Sequence, residues 1–286
     1  MSNERVGNAW QSIVGGSERV GSEWDRLVAG WERNAANTAW VPLVFGGRLY
    51  ASDGRDLYLV SISDPSSQAG DFGFVATVNS GGSAGVDGGI GIVGRELYMI
   101  QTQNRNLASY NLDTGTVVRR RISAGQLPDN ARPEGIVQDP STGTTYYASS
   151  FRFSTFLYRM IISSTAWRAI NVTGRSTGTI LAEGLGGLAF IGNDLYIITN
   201  ATRIGRVNTT TWRVEAWVGY TSPTDGSGNR LYTAQGFTSK DGQTYAVLNR
   251  TSDNHRFLQR VNIANPPAST LITTRLYRDF DAIALP

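Results

Sequence analysis

The chain has 286 residues, a formal net charge of +3, 33 glycines, a single histidine and no cysteine. That excludes disulfides, thiolate nucleophiles and Cys-ligated metals, and leaves a Ser-His-Asp triad or a multi-histidine zinc site only His255 to draw on. The charge bias is far too mild for a nucleic-acid arm, and the wealth of Gly, Thr, Ser, Asn and Asp is the composition of many short strands joined by turns.

No apolar run approaches the roughly 18 residues a membrane helix needs, so no membrane span is expected. Residues Met1 to Arg5 lack the basic and apolar regions of a secretory signal, so no secretory signal is expected and synthesis in the cytoplasm is predicted. The basic residues are nearly all arginine, with Lys240 the one lysine. Arg119-Arg120-Arg121 sits in a strand-like run and reads as a solvated strand face rather than a phosphate patch.

Residues 1–38 carry a short repeat. Glu4-Arg5-Val6-Gly7 with Trp10 returns as Glu18-Arg19-Val20-Gly21 with Trp24, a step of 14 residues, and a degraded third copy starts at Glu32-Arg33. Two readings stand. Val6, Trp10, Ile13, Ser17, Val20, Trp24, Leu27 and Trp31 fall at the 4-3 spacing of a helical stripe. But Gly7, Gly15, Gly16, Gly21 and Gly30 interrupt it, each costing about 1 kcal/mol against Ala in a helix. The preferred reading is β, with Val-Gly-Asn/Ser as a turn between short strands.

From residue 40 a longer period takes over. Tyrosines at 50, 98, 147, 196 and 245 recur at steps of 48, 49, 49 and 49. Before each lies a Gly-apolar strand, as in Gly89-Ile90, Gly135-Ile136, Gly187-Leu188 and Gly236-Phe237. After each come a third strand (56–60, 106–110, 156–160, 204–207, 257–261) and a fourth (74–78, 117–122, 167–172, 212–218, 271–276). For the first unit, Val41 to Phe45 takes the place of the Gly-apolar strand. Four antiparallel strands per unit of about 48 residues predict an all-β protein, a β-propeller of four-stranded blades. Glycine in the first strand lets backbones approach at a crowded axis, and the tyrosines are expected to pack between blades.

Ala282-Ile283 has the first-strand pattern, yet nothing follows it to complete a blade. Since 286 divided by six is close to 48, the expectation is six blades joined across the termini, the last built from the C-terminal strand plus strands from residues 4–36. The alternative is five blades, with the C-terminal strand completing the blade of residues 40–80 and residues 1–38 as a docking element. The domain reading is therefore 1–38 for the short repeats and 39–286 for the propeller.

One channel mouth should gather the residues just before the Gly-apolar pairs and just past the second strands: Glu134, Gln235 and Asp281 with Asn200 and Asn249. Such oxygen ligands suit Ca²⁺, with Glu134 and Asp281 the carboxylates to hold it. No other cofactor is expected. Aromatic loops nearby (Phe151, Phe153, Trp217, Tyr220) could instead stack on sugars.

The long repeat resembles the YncE-like and NHL-like propellers, without a WD or kelch signature. The tandem Arg-Val-Gly-x-x-Trp phrase resembles short repeats of bacteriophage tail and fibre proteins. Together these imply a non-catalytic binding or structural protein of a virion tail or fibre. It would be made in the cytoplasm, act in host attachment or assembly, and oligomerise through that assembly. Its partners would be other virion proteins or a host surface glycan or receptor, not nucleic acid. The alternatives are a metal-dependent hydrolase similar to sugar-lactonase-like propellers, a sugar-binding lectin, and a cytoplasmic location.

Overall fold

The computed structural model describes the chain apart from residues 1, 7–8, 14–18, 21–22, 25–29, 34–39, 44–47, 54, 63–72, 79–88, 102–105, 122–131, 152–153, 162–165, 172–184, 200–202, 219–232, 241, 251–254, 265–269, 272–275, 277–279 and 281. For the strands up to residue 48 and for 147–171 it describes backbone course and register.

The described residues are all-β and propeller-like. Four sheets are each made of four consecutive antiparallel strands. They are Ile90–Val93, Glu96–Gln101, Asn106–Asn111 and Val117–Arg121; Arg132–Gln138, Thr145–Phe151, Ser154–Ile161 and Ala166–Asn171; Leu185–Ile191, Asp194–Thr199, Ile204–Asn208 and Arg213–Val218; and Thr233–Lys240, Gln243–Arg250, His255–Arg260 and Thr270–Leu271. These match the expected third and fourth strands to within a few residues. A further sheet is composite: Ala282–Ala284 pairs with Arg48–Ser52, which continues into Asp56–Ser61 and Gly73–Thr77.

The first strands face inward. Each touches the first strand of the next sheet, and Ile90–Val93 touches Ala282–Ala284, so the contacts run in a closed ring. Arg132–Gln138 also touches Thr233–Lys240 and Ala282–Ala284, two strands that are not its ring neighbours, so the axis is crowded as the sequence predicts. The glycines show how crowded. A Cβ on Gly187 would lie 2.7 Å from the backbone nitrogen of Phe237, one on Gly236 would lie 3.1 Å from that of Ile283, and one on Gly91 would lie 1.8 Å from the carbonyl oxygen of Ile136.

The closure differs from the expected six-blade one. The C-terminal strand takes its partner from Arg48–Ser52, not from strands of residues 4–36. Trp40–Leu43, which overlaps the segment Val41 to Phe45 read as the first strand of the first unit, pairs instead with Gly30–Arg33. The reason is size and hydrogen bonding. Ala284 opposes Tyr50 as Ala189 opposes Tyr196, so Ala282 occupies the place that Gly187 fills in its own sheet. Had residues 41–45 folded back on Arg48–Ser52 in that register, Val41 would stand at that tight place and Pro42 would remove a ladder donor.

The short repeats form β-ladders rather than a helix. Ser2–Val6 pairs with Ala9–Ile13, and Arg19–Val20 with Glu23–Trp24. Ser2–Val6, Ala9–Ile13, Gly30–Arg33 and Trp40–Leu43 make one four-stranded sheet.

The core lies between sheets. Tyr50 meets Tyr110 of the following sheet at 6.5 Å between ring centroids, and Tyr245 packs with Leu49, Ala51 and Tyr58. Register corrects one member of the tyrosine series. Val137, the counterpart of Ala189, opposes Tyr146, so Tyr146 and not Tyr147 is the equivalent of Tyr196. Tyr146 is buried against Trp212 (5.2 Å) and Phe190 (6.3 Å) of the next sheet. The true steps are 48, 48, 50 and 49, and the adjacent tyrosines 146 and 147 hide the difference in the sequence.

Arg119 and Arg120 are exposed on an outer strand, as expected for a solvated face. Arg119 also donates to the carbonyl oxygens of Thr77 and Val78, both at 2.8 Å, and so fastens its sheet to the preceding one.

Candidate functional site

The inner strands run the same way around the axis, so the ring has an entry end, where they begin, and an exit end, where they turn into the second strands. The expected site belongs to the entry end. There the register shifts in three of the sheets: between Pro133 and Gly135, between Leu185 and Gly187, and between Ala234 and Gly236. The residue skipped in each bulge is Glu134, Gly186 or Gln235. Sequence reasoning chose these positions as the residue before each Gly-apolar pair, and they are structurally equivalent. A bulge of this kind twists the strand and re-aims a side chain. Asn200 and Asp281 lie outside the described residues, as do the side chains of Glu134 and Gln235.

Asn249 is buried, and in the ladder it opposes Thr233 on one side and Arg256 on the other. Arg256 is itself only 6% exposed. The sequence reading missed Arg256. An arginine in a strand is ordinarily exposed, and only its position opposite Asn249 at the second-to-third strand corner marks it. Two corresponding corners are closed by local bonds. Asp53 accepts from the backbone N–H groups of Arg55 (3.2 Å) and Asp56 (2.9 Å) and from the Tyr58 hydroxyl (3.2 Å). Thr199 Oγ1 accepts from Arg203 N–H at 3.1 Å.

A cavity of about 290 Å³ lies at the exit end. Sequence reasoning placed no site there. It is a shallow dish rather than a channel, because the inner strands meet one another across the axis beneath it. Each of the five sheets supplies an apolar wall residue: Ile92, Val137, Phe190, Phe237 and Leu285. Polar groups come mostly from one strand. Thr238 Oγ1 accepts from Leu285 N–H at 3.2 Å, the Ser239 and Thr244 hydroxyls share a 2.9 Å hydrogen bond, and Lys240 Nζ donates to the Pro286 carbonyl oxygen. Among the described residues that line the dish Lys240 is the one charged side chain, and it is the only lysine in the chain. Its uniqueness was visible in the sequence, but its location was not.

The turns at this end are fixed by side-chain caps. Asp139 accepts from the Ser141 N–H (2.8 Å) and hydroxyl (2.6 Å) and from Thr142 N–H (3.3 Å). Burial pushes the Asp139 carboxyl up, but these bonds outweigh it and hold it below the usual carboxylate range. Asn111 and Asn208 cap two turns between third and fourth strands in the same manner.

No protein-family model matches the chain, and no curated protein does. Among solved structures it is similar to one from a nidogen/laminin complex, with 18% identity over 90% of this chain and 93% of that one and a TM-score of 0.49. It is also similar to glutaminyl cyclase of Myxococcus xanthus, with 13% identity over 68% of each chain and a TM-score of 0.43. A third is a β-propeller domain from Myceliophteria thermophila, with 13% identity over 80% of this chain and 72% of that one and a TM-score of 0.40. The propeller-like fold of the present chain rests on its own strand pairing.

Proposed function

We propose that the protein is a non-catalytic binding and structural propeller, a tail or fibre component of a bacteriophage virion that acts in host attachment or assembly. The observation that carries this reading is the register of the short repeats. Arg5 opposes Trp10, Arg19 opposes Trp24, and Arg33 opposes Trp40. The three arginines are 14 residues apart. The register thus sets an arginine position directly opposite a tryptophan position in each of the three pairs. Such a pair suits recognition of a sugar or an anionic surface, because the indole stacks on an apolar face and the guanidinium binds oxyanions. Repeating the unit on one chain favours attachment through several weak contacts at once.

In this reading the ring has five blades, closed by the pairing of Ala282–Ala284 with Arg48–Ser52, and the segment before it is the docking element. A closed ring of this kind is a rigid spacer with its ends tied together. The partners are other virion proteins or a glycan or receptor on a host surface. Gold-labelled antibody against the protein, applied to particles from the same source, should decorate the tail. Label confined to the unassembled lysate fraction overturns the virion reading. A glycan array probed with the native chain and with Trp10→Ala/Trp24→Ala/Trp40→Ala tests the recognition half: hits that survive the triple substitution place recognition elsewhere.

A further inference from the structure

We propose that the four-stranded sheet of the short repeats binds an acidic polysaccharide that carries its carboxylates on alternate sugar residues. The inference rests on the short repeats being the recognition element and names what they recognise.

The assignment comes from following the register across the whole sheet. Arg5 opposes Trp10, and Arg33 opposes Trp40. Between these two hairpins Ser12 opposes Trp31 and Ile13 opposes Gly30, so the same register continued by two residues sets Trp10 opposite Arg33. One row of positions therefore runs Arg5, Trp10, Arg33, Trp40 across all four strands. Two residues along each strand, a second row runs Asn3, Ser12, Trp31, Pro42. The row between them runs Glu4, Gln11, Glu32, Val41. Opposed residues share a face, and successive residues of a strand alternate between faces. The first two rows thus belong to one face and the third to the other. The strands of this sheet hold two arginines and two acids, Glu4 and Glu32, and the register puts the acids on the face opposite the arginines. Elsewhere in residues 1–43 the acids are Glu23, in the separate ladder with Arg19–Val20, and Glu18 and Asp25, which lie outside the described residues.

Each property of the row selects a property of the ligand. Neighbouring strands are about 4.8 Å apart, so arginine positions recur about every 10 Å with a tryptophan position between them. A pyranose residue in an extended chain is close to one strand spacing in length. A chain laid across the strands therefore meets arginine and tryptophan positions in turn. An indole stacks on the apolar face of a sugar ring, and a guanidinium takes a carboxylate in a bidentate pair. With both acids of the sheet on the other face, the arginine face complements an anion. A nucleic-acid strand carries a charge on every unit, which fits an alternating row less well.

The test uses the full chain on an array of two alternating oligosaccharides, glucuronate with N-acetylglucosamine and glucuronate with glucose. Each stands beside its carboxyl-reduced form, and polygalacturonate and oligothymidylate are further probes. At least one acidic repeat should bind saturably, and its reduced form about tenfold more weakly. Arg5→Gln/Arg33→Gln should weaken the acidic form about tenfold and leave the reduced form unchanged. Trp10→Ala/Trp40→Ala should weaken both forms. Ser12→Lys and Gln11→Lys add the same charge at adjacent residues on opposite faces, and only Ser12→Lys should tighten the acidic form, by about threefold. The proposal is overturned if neither acidic repeat binds, if an acidic repeat and its reduced form bind equally, if polygalacturonate or oligothymidylate binds more tightly than both repeats, or if Gln11→Lys gains as much as Ser12→Lys. Charge-independent glycan binding that is lost on replacing Trp10, Trp24 and Trp40 overturns this inference alone, whereas binding that survives that replacement removes the recognition role of the repeats as well. The arginine and lysine variants keep every tryptophan, so their comparison stands even where the tryptophan variants do not fold.

Discussion

The ring from Arg48 onward and the ladders before Leu43 are built from the same hairpin chemistry, yet they are held together by different means. In the ring, each four-stranded sheet buries residues against its neighbours, as Tyr50, Leu97, Met99 and Ala108 do in one shared cluster. Sheets far apart in sequence therefore depend on each other, and Ala282–Ala284 completes a sheet that begins at Arg48. Among the described strands before residue 43, every substantial contact is with another strand of that same segment. A unit of about 48 residues is long enough to make a four-stranded sheet of its own, whereas a 14-residue unit is too short for more than a hairpin. The four-stranded sheet before residue 43 is therefore assembled from strands of several copies.

The strongest test of that contrast is truncation from either side. Removing residues 282–286 takes away the buried Ala282, Ile283 and Ala284 and bares the edge of Arg48–Ser52. The lost apolar burial alone amounts to about 4 kcal/mol, and the freed edge invites aggregation. The expected outcome is a melting temperature lower by more than about 10 °C, or insoluble chain. Removing residues 1–43 should leave the ring's calorimetric transition within about 2 °C of the native one. A comparable drop for both truncations would show that the two segments form one cooperative unit and would end the contrast.

The second test separates two uses of glycine within the ring. At Gly91 the chain has no room: a Cβ would lie 1.8 Å from Ile136 oxygen, so Gly91→Val forces two inner strands apart. A loss above about 4 kcal/mol is expected, in the range of severe core disruption. At Gly94 there is open space around the site but φ is +64°, so Gly94→Ala should cost only about 1 kcal/mol of backbone strain. Urea titration of both variants reads the difference. Equal losses would mean that the inner strands can shift to take a side chain, contrary to the crowded axis.

Much of the ring was legible because its signals are local. The Gly-apolar strands, the third strands around Tyr58 and Tyr110 and the Asn111–Gly115 turn follow from alternation and turn chemistry within a few residues. The closure was not, because two segments, 41–45 and 282–285, both fit the edge of Arg48–Ser52 by pattern. The choice between them turns on Val41 and Pro42 being wrong for a place that only packing reveals. The phase of the tyrosine series was hidden by the pair Tyr146-Tyr147 for the same reason. At the candidate sites the entry-end positions Glu134 and Gln235 were found through their fixed offset from a glycine. The exit-end dish was not, because its five wall residues come from five sheets and no stretch of sequence holds more than a part of it.

The third test concerns the packing between sheets. Tyr146→Ala removes the ring that touches Trp212 and Phe190, and truncation of a buried aromatic costs about 3 to 5 kcal/mol. Tyr146→Phe keeps that packing and should cost less than about 1 kcal/mol. Near-equal effects of the two would mean that the hydroxyl, not the ring, is what the neighbouring sheet holds.

The smallest effect expected is a pH dependence of one turn in the ring. Among the described turns at the exit end, Asp139, Asn111 and Asn208 are Asx caps, and of these only Asp139 is a carboxylic acid, since Asn111 and Asn208 carry no proton to gain. The Asp139 carboxyl is held below its ordinary value of 3.8 in the folded chain. Its contribution is therefore complete above the carboxylate range of the unfolded chain, and it is lost as pH falls through the lower folded value. Asp139→Asn keeps an oxygen acceptor and should flatten this part of the stability curve while retaining most of the neutral-pH stability. Asp139→Ala should lose about 1 kcal/mol at neutral pH as well, the usual worth of such a cap. Amide exchange at Ser141 and Thr142 reads the turn directly. Protection there that is the same at neutral and acidic pH in the native chain, or that survives unchanged in Asp139→Ala, would mean that the strands on either side hold the hairpin shut without help from the cap.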